Sequence, residues 1–305
     1  MYILIGNPCR EIGSDERPRT GGSVLTMGAT LAGLGMPVAV VGRGGIAERE
    51  SLVAAGIDHR LFILSERTAT FYSSSPHRGA SARCCATPGE PLSMADLPFD
   101  LTAVHGVILC PVLGELEGFV APPWFHDRTL VSATGFLHQA AEGGAPLPTK
   151  RVRSDTLDDL RRTSLAVHAT EPDALFVTGA IEAEAACRAL LAEATQNSGH
   201  AGQRVALVTR GARGALAFDG ADVHRAGDGS DDPLYADIVA AAFLFHYLGT
   251  ASQHAGPSER GHSAHDALDF ANAAAHVALA KRSDPAHRSW PWPALREVQE
   301  RMSRR

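Results

Sequence analysis

The sequence lacks a hydrophobic run long enough to cross a membrane. Although 45% of its 305 residues are hydrophobic, no segment approaches the ~20 consecutive apolar residues that a membrane-spanning helix needs. The short apolar run from Met1 to Gly6 has neither a basic segment nor a small-residue cleavage site. It therefore predicts a first β-strand and not a signal peptide. We expect a cytoplasmic protein that does not bind membranes.

Strong charge of one sign is missing as well, and cysteine is scarce. The mild acidic excess, a formal net charge of -6, gives no electrostatic footprint for nucleic acid or for an anionic membrane. The cysteines are scattered at Cys9, Cys84, Cys85, Cys110 and Cys187. Such a set argues against a disulfide framework and shows no Cys-x-x-Cys spacing for zinc, which agrees with a reducing cytoplasm.

Several common cofactor and catalytic motifs are absent. The sequence contains no GxxxxGK(S/T) phosphate loop. Residues 42–45 (GRGG) lack the third glycine and the downstream acidic residue of a dinucleotide fingerprint. Residues 132–135 (SATG) do not form the G-x-S-x-G elbow of hydrolases.

What the sequence does contain is an alternation of apolar strands and alanine-rich helices. The predicted strands are Tyr2–Ile5, Val38–Val41, Val107–Leu109, Leu130–Ser132, Ser164–His168, Leu175–Val177, Val205–Thr209 and Ala215–Phe218. The predicted helices are Ser23–Leu34, Arg49–Ala55, Thr156–Arg162, Ile181–Thr195, Asp237–Leu248, His265–Lys281 and Ala294–Arg301. We therefore expect an α/β fold with a mostly parallel central sheet, flanked by helices on both faces, in a single domain over residues 1–305.

Two polar segments interrupt this alternation. Residues 68–86 are rich in Thr, Ser and aromatic residues, with Pro76 and Gly79 in the middle, and they predict a β-hairpin outside the main sheet. Residues 8–20 are expected to add to the same flap. A small β flap above an α/β sheet can serve as a lid over a substrate. A further polar stretch, Gly249–Gly261, predicts an exposed loop.

Two glycine-containing turns point to polar ligands. Gly21 and Gly22 precede the first predicted helix, whose N-terminus offers unpaired N–H groups, although a tight turn explains such a pair about as well. Residues 205–215 (VALVTRGARGA) place Gly211 and Gly214 between two predicted strands. There they allow a turn whose N–H groups face an anion, and an ordinary hairpin turn is the alternative.

In this order, these segments resemble the ribokinase-like, or PfkB, family of carbohydrate and nucleoside kinases, over roughly residues 2–280. The resemblance implies a substrate site at Asn7, Glu11, Gly21, Gly22 and Thr26, and a nucleotide site at Thr209, Gly211, Gly214 and Asn272. The family usually has Asp in place of Glu11, where it binds substrate hydroxyls, and often Asn in place of Thr26. Asn272 corresponds to an asparagine that lies near the adenine of the nucleotide.

The resemblance also implies cofactors and partners. The expected cofactors are ATP and Mg²⁺, and the expected ligand is a sugar, a nucleoside or a related alcohol. Ile181–Ala186 lies where the family has its N-x-x-E region, which supports Mg²⁺ through water. Glu182 matches its acidic residue best, with Glu184 as a rival, and two solvated helix carboxylates are the alternative. A homodimer formed through the lids is a further expectation.

The family's phosphoryl-transfer motif, D-T-x-G-A-G-D-x-F, is altered in this sequence. Residues 231–243 read DDPLYADIVAAAF, so Asp237 matches the catalytic base, whereas Leu234, Tyr235 and Ala236 replace the Gly-Ala-Gly that forms an anion hole. Tyr235 is expected to crowd the transferred phosphate. Residues other than glycine also resist the backbone angles expected of an anion hole.

Two functions therefore remain open. In one, the protein is a small-molecule kinase and Asp237 takes the proton of the attacking hydroxyl. In the other, the same fold serves a catalytically altered or inactive pseudokinase that binds a small molecule, regulates, or performs other chemistry. Asp237 is then only a carboxylate that favours the dipole of its helix.

Overall fold

The structure, a computed structural model, describes residues 1–13, 16–73, 83–97, 104–139, 147–148, 150–192, 204–249, 263–283 and residue 295. Within these residues the chain forms sixteen strands and seven α-helices. The strands are β1 (Tyr2–Ile5), β2 (Cys9–Ile12), β3 (Pro18–Gly21), β4 (Val38–Gly44), β5 (Phe62–Leu64), β6 (Ala69–Ser73), β7 (Arg83–Thr87), β8 (Gly106–Leu109), β9 (Thr129–Ser132), β10 (His138–Gln139), β11 (Leu147–Pro148), β12 (Lys150–Arg151), β13 (Ala166–Thr170), β14 (Val205–Thr209), β15 (Ala215–Phe218) and β16 (Val223–Ala226). The helices are α1 (Ser23–Gly33), α2 (Ile46–Ala54), α3 (Asp155–Thr163), α4 (Glu171–Thr178), α5 (Ala183–Ala192), α6 (Tyr235–Leu248) and α7 (Ala264–Ser283).

Nine strands form the central sheet, in the order β16-β15-β14-β13-β9-β8-β1-β4-β5. The strands from β14 to β5 run parallel to their neighbours, whereas β15 and β16 are added antiparallel at one edge. β1, β8, β9 and β14 are buried along their whole length, as expected of parallel strands with helices on both faces. The predicted α/β fold with a mostly parallel sheet is confirmed.

The side chains of β1 alternate between two hydrophobic cores, one on each face of the sheet. Tyr2 and Leu4 pack in the core that contains α1, α6 and α7. Ile3 and Ile5 pack in the core that contains α3, α4 and α5. This alternation follows from the two-residue period of a strand. Because both faces are covered, polar groups gather at the strand ends, and open α/β sheets bind ligands at the carboxyl ends of their strands.

Helix α6 lies deep in the first of these cores. All of its residues from Ile238 to Phe245 are buried, and it packs against α1, α7 and β8. A helix that is apolar on all sides is a core helix, and its alanines at 240–242 let the neighbouring elements approach closely. This burial fixes the position of its first turn, which carries Asp237.

The predicted flap is present as a separate five-stranded sheet. Its order is β11-β7-β6-β2-β3, so the two polar segments of the sequence do combine in one sheet. Arg10 on β2 connects this sheet to the main body, since its guanidinium donates to the carboxylate of Glu48 at 3.1–3.2 Å. Glu48 is buried, and it also accepts hydrogen bonds from the hydroxyl of Thr68 and the backbone N–H of Gly45.

One predicted strand is wrong. Leu175–Val177 belongs to helix α4, because Pro172 favours the first turn of a helix and Gly179 ends the helix in a left-handed conformation with φ 69°. A short apolar run cannot be assigned to strand or helix from its pattern alone. Residues 250–261 of the predicted loop lie outside the described residues, as does the predicted last helix apart from Leu295.

Among the helices that the structure describes, none combines the length and the apolar character needed to cross a bilayer.

Candidate active site

A cavity of about 350 Å³ opens where the carboxyl ends of β13 and β14 meet the start of α6. Residues from three segments line it. They are Thr170, Glu171 and Pro172; Thr209, Arg210, Gly211 and Arg213; and Ser230, Asp231, Asp232, Pro233, Tyr235 and Ala236. The cavity thus brings together two sequence-predicted nucleotide residues, Thr209 and Gly211, with the altered transfer motif. Its volume is at the lower end of the range of about 300–1,000 Å³ that is usual for small-molecule sites.

The turn after β14 requires glycine at two positions. Gly211 has φ 60° and Gly214 has φ 80°, a region that side chains with a Cβ rarely adopt. A Cβ on Gly214 would also lie 2.2 Å from the carbonyl oxygen of Ala226. Gly214 therefore packs directly on the backbone that follows β16, and it does not itself line the cavity.

The turn after β14 binds a carboxylate of the protein itself. The carboxylate of Asp231 accepts a hydrogen bond from the backbone N–H of Ala212 at 3.0 Å. The N–H of Gly229 in turn donates to the carbonyl of Ala212 at 2.9 Å. One N–H group of the turn is thus directed at a negative charge, that of Asp231.

Two arginines bring positive charge to the cavity. Arg210 donates from its guanidinium to the carbonyl of Arg213 at 2.7 Å, while its Nε is buried without a hydrogen-bond partner. Arg213 forms an ion pair with Glu171 across the cavity wall. Arg210 lines the cavity, so its guanidinium brings positive charge to an oxyanion such as phosphate there.

The backbone at the start of α6 is helical in spite of the missing glycines. Leu234 has φ -83° and ψ -13°, which any residue adopts, so the expected conflict with non-glycine residues does not arise. Its N–H donates to the carboxylate of Asp232 at 2.9 Å, and the N–H of Tyr235 donates to the carbonyl of Asp232 at 3.0 Å. The N–H groups of Leu234 and Tyr235 are therefore already bonded to Asp232 and are not free to bind an anion.

Tyr235 points into the protein. Its side chain is only 1% exposed, and its hydroxyl donates to the Oδ1 of Asn272 at 2.6 Å. Burial raises the pKa of Tyr235 to about 12, so the phenol remains a donor at neutral pH. The hydroxyl is directed toward α7, while Tyr235 remains part of the cavity wall.

Asp237 is half-buried in the first turn of α6. Burial raises the pKa of the Cys110 thiol, and the nearby charges of Asp237 and Glu115 raise it further. Since Cys110 directly follows β8, Asp237 lies over the middle of the sheet. Asp237 is not itself among the residues that line the cavity, and its charge acts near the end of β8.

Asn7 and Glu115 are joined in a buried network. Glu115 accepts hydrogen bonds from the backbone N–H groups of Asn7 at 2.9 Å, Val112 at 2.8 Å and Leu113 at 2.8 Å, yet burial still raises its pKa. The side chain of Asn7 accepts from the N–H of Arg43 and donates to the carbonyl of Glu90, both at 2.7 Å. Asn7 therefore fixes the loop ends at this edge of the sheet.

The remaining predicted substrate residues lie at the base of the lid. Gly22 has φ 95° and precedes α1, and a Cβ there would lie 3.2 Å from the Cγ2 of Val112. A Cβ on Gly21 would lie 2.8 Å from the side chain of Glu11, so glycine lets the carboxylate of Glu11 lie against β3. Thr26 is buried within α1.

The structure does not bring Glu182 to this cavity. Glu182 is exposed before α5, and its rival Glu184 forms an ion pair with Arg225. Instead, Thr170 and Glu171 line the cavity, and Asp173 follows in the first turn of α4. The sequence offered a signal for this segment, because Pro172 followed by acidic and apolar residues is typical of a helix start.

Asp173 belongs to the framework behind the cavity. It is buried, and its Oδ2 accepts hydrogen bonds from the hydroxyls of Thr134 and Thr170, both at 2.8 Å. In the described part of the chain, no group of three or more His, Cys, Asp or Glu side chains converges on a metal position. Mg²⁺ is usually bound by one or two carboxylates and by substrate phosphates, and Glu171, Asp231 and Asp232 on the cavity wall suit that role.

Comparisons with known proteins identify the fold through solved structures. No family model matches the sequence, and no curated protein matches it. A pyrophosphate-dependent kinase of the ribokinase family, solved with a pyrophosphate analog and myo-inositol, superposes with a TM-score of 0.72 at 19% identity, over 99% of this chain and 100% of that chain. The chain has the ribokinase-like fold.

Two other ribokinase-like structures agree. Adenosine kinase from Sinorhizobium meliloti superposes with a TM-score of 0.64 at 18% identity, over 98% of each chain. Fructokinase from Vibrio cholerae O395, solved with fructose, ADP and calcium, gives 0.62 at 16% identity, over 96% of this chain and 95% of that chain. At these identities the similarity establishes the ribokinase-like fold, and function must be argued from the site.

Proposed function

We propose that this protein transfers a phosphoryl group from a donor in the cavity to a hydroxyl group of a sugar, a cyclitol or a nucleoside. The observation that carries the proposal is the place of Asp237. It stands in the first turn of the helix that walls the cavity, and its charge acts at Cys110, beside the buried network of Glu115. Donor and acceptor sites would therefore meet at one carboxylate.

Each group has a role in such a transfer. Asp237 would take the proton of the attacking hydroxyl. Arg210 and Arg213 would hold the phosphate oxygens, and the dipole of α6 would help to stabilise the charge that spreads over them. Mg²⁺, held by carboxylates of the cavity wall together with the phosphates, would neutralise part of that charge. These are positioning and electrostatic effects, which dominate phosphoryl transfer.

The acceptor class is supported by solved structures with this fold. They include a protein solved with myo-inositol, one solved with fructose, and an adenosine kinase. Their phosphate-containing ligands differ, since one is a pyrophosphate-dependent kinase and another was solved with ADP. For this chain we therefore propose a polyol-like acceptor that lies between the lid sheet and the carboxyl ends of β1 and β8.

The test is the variant Asp237→Asn. The purified protein is screened by ³¹P nuclear magnetic resonance for transfer to a panel of sugars, cyclitols and nucleosides, with Mg²⁺ and either ATP or pyrophosphate as donor. Because a positioned general base contributes about 10²–10⁴-fold, the variant should lose at least about 100-fold in kcat and keep its fold. Asp269→Asn, an exposed aspartate on α7, is the matched control. Full activity of Asp237→Asn would contradict the proposal.

A second candidate is a ribokinase-like protein that binds a small molecule without transferring phosphate. It is favoured by the two N–H groups, of Leu234 and Tyr235, that Asp232 uses internally. This candidate predicts that calorimetry detects a sugar or nucleoside, and that no donor yields a phosphorylated product. Replacing Leu234, Tyr235 and Ala236 with Gly-Ala-Gly should then create transfer activity.

The lid also suggests an assembly. We propose a homodimer formed through the five-stranded lid sheet, as the family resemblance implies. Sedimentation of the purified protein tests it, since a monomer at all concentrations would contradict it.

A further inference from the structure

A buried histidine lies behind the cavity, and the proposed transfer gives it no role. His168 stands on β13 and is 1% exposed. Its Nδ1 lies 3.4 Å from the hydroxyl oxygen of Ser132 on β9, and its Nε2 lies 3.2 Å from the hydroxyl oxygen of Thr209 on β14. Thr209 lines the cavity, whereas His168 and Ser132 do not. The imidazole therefore connects the interior of the sheet to a hydroxyl group at the cavity wall.

The register of the parallel strands places these three side chains on one face of the sheet. His168 lies opposite Ser132, and Thr170, two residues further along β13, lies opposite Thr209. Residues two apart on a strand point to the same face, so the row crosses β9, β13 and β14 obliquely. Leu207, which also lies on this face, packs in the core that contains α6. Because the surroundings are apolar, the polar atoms of the row must satisfy one another.

The imidazole of His168 is neutral at neutral pH. Burial lowers its pKa to about 4, although the charge of Asp173 acts in the opposite direction. A neutral imidazole has one N–H donor and one acceptor nitrogen. The proton of His168 therefore lies either on Nδ1, facing Ser132, or on Nε2, facing Thr209.

The pairing of buried donors decides between the two tautomers. With the proton on Nδ1, the ring donates to Ser132. The hydroxyl hydrogen of Ser132 then lacks an acceptor, because the ring is the one hydrogen-bond partner of this hydroxyl among the described residues. An unpaired buried donor is costly. With the proton on Nε2, Ser132 donates to the ring and the ring donates to Thr209, so the hydroxyl hydrogen of Thr209 is left for a ligand in the cavity.

We infer that His168 is a positioning residue of the transfer site, whose Nε2–H holds the hydroxyl of Thr209 so that this hydroxyl donates to an oxygen of the bound phosphoryl donor. The inference rests on the proposed transfer activity and deepens it. A donor that is oriented in advance costs no reorganisation when charge develops on the phosphate. The bond that Thr209 accepts also polarises its hydroxyl and strengthens the bond that it donates. Ser132 selects the tautomer on which this arrangement depends.

The first experiment identifies the tautomer in the full chain without any ligand. Nuclear magnetic resonance of the ¹⁵N-labelled protein at neutral pH distinguishes the protonated ring nitrogen of His168 from the unprotonated one. The variant His168→Gln assigns the signals, since it removes them. We expect the proton on Nε2. A proton on Nδ1 would overturn the inference, whether or not the protein transfers phosphate.

The second experiment asks whether His168 acts through Thr209. Calorimetry measures Kd for pyrophosphate and for ATP, each with excess Mg²⁺. Thr209→Val removes the hydroxyl at nearly constant shape and should raise Kd about 10-fold or more, because a hydrogen bond to a charged group is lost. His168→Leu should raise Kd about fivefold in the natural background. In the Thr209→Val background it should change Kd by less than about twofold, because the group through which it acts is already gone.

Two further variants separate positioning from stability. His168→Gln carries an amide that donates from near the position of Nε2, so it should restore Kd to within about threefold of the natural value. Thr129→Val is the matched control, because it removes a buried strand hydroxyl that donates to the carbonyl of Phe125 and does not line the cavity. It should leave Kd unchanged.

The outcomes distinguish this inference from the proposed transfer. Equal effects of His168→Leu with and without the hydroxyl of Thr209 would contradict the inference, because His168 would then act through the stability of the sheet. That result would leave the proposed transfer intact. A natural protein that binds neither pyrophosphate nor ATP would overturn both. If His168→Leu does not fold, the tautomer and the Kd values of His168→Gln and Thr209→Val decide the question.

Discussion

The Nε2 of His168 lies 3.2 Å from the hydroxyl oxygen of Thr209, directly behind the cavity. The Nδ1 of the same imidazole lies 3.4 Å from the hydroxyl of Ser132. These residues stand on β9, β13 and β14, so a polar row crosses three neighbouring parallel strands inside the sheet. His168 is 1% exposed, and burial lowers its pKa to about 4, although the charge of Asp173 acts in the opposite direction.

The first prediction is a loss of stability in acid. The pKa of His168 is about 4 in the folded protein and about 6.5 in the unfolded chain. The neutral imidazole therefore contributes stability that is fully present above pH 6.5 and is lost as the pH falls toward 4. The shift corresponds to a loss on the order of 3 kcal/mol.

Urea unfolding at pH 7.5 and at pH 4.5 measures this effect. His168→Gln should be less stable than the natural protein at pH 7.5. From pH 7.5 to pH 4.5, the free energy of unfolding of His168→Gln should fall by about 2 kcal/mol less than that of the natural protein. His265→Gln, which replaces an exposed histidine, should keep the natural pH dependence. Equal pH dependence in the natural protein and in His168→Gln would contradict the assignment.

The second prediction concerns the turn at Gly214. Gly214→Ala places a Cβ within 2.2–2.4 Å of two carbonyl oxygens, whereas Gly220→Ala puts a Cβ at a similar positive φ with nothing within 4 Å. Both variants should lose about 1–3 kcal/mol for a side chain at positive φ, Gly214 having φ 80° and ψ -140°, and only Gly214→Ala should lose several kcal/mol more. Urea unfolding of the two variants measures the difference in their free energies of unfolding. Equal losses would contradict the prediction, because they would show that the backbone after β16 moves to accommodate the added Cβ.

The fold could be predicted further than the site, for a physical reason. Apolar periodicity is local, so the sequence predicts strands such as Tyr2–Ile5 and the core helix that starts near Asp237. It also predicts that Gly211 and Gly214 form a turn, because their backbone angles exclude most other residues. The prediction of a strand at Leu175–Val177 failed because a short apolar run fits a strand and a helix equally.

The contacts of Tyr235 and Asn272 could not be predicted in this way. The sequence indicates a bulky residue in place of a small one, and it suggests a steric conflict with phosphate. Which way the ring turns depends on the space between α6 and α7, and that space is set by tertiary packing. The same holds for Asn7, whose three hydrogen bonds join segments far apart along the chain.

The third prediction addresses the charge that holds the donor. Arg210→Met keeps most of the aliphatic volume and removes the guanidinium of a residue that lines the cavity. Because hydrogen bonds to charged groups contribute about 1.5–3 kcal/mol, Kd for pyrophosphate with Mg²⁺ should rise roughly 10- to 100-fold. Arg60→Met is the control, since Arg60 is exposed and pairs with Asp58 away from the cavity.

Calorimetry at two salt concentrations separates a direct contact from a change of shape. If Arg210 pairs with phosphate, the natural protein should lose more affinity in high salt than Arg210→Met does, because the variant has already lost the screened interaction. A parallel loss in both proteins would mean that Arg210 supports the turn through the carbonyl of Arg213 and does not hold the donor. The donor's charge would then be balanced by Arg213 and by the N-terminus of α6.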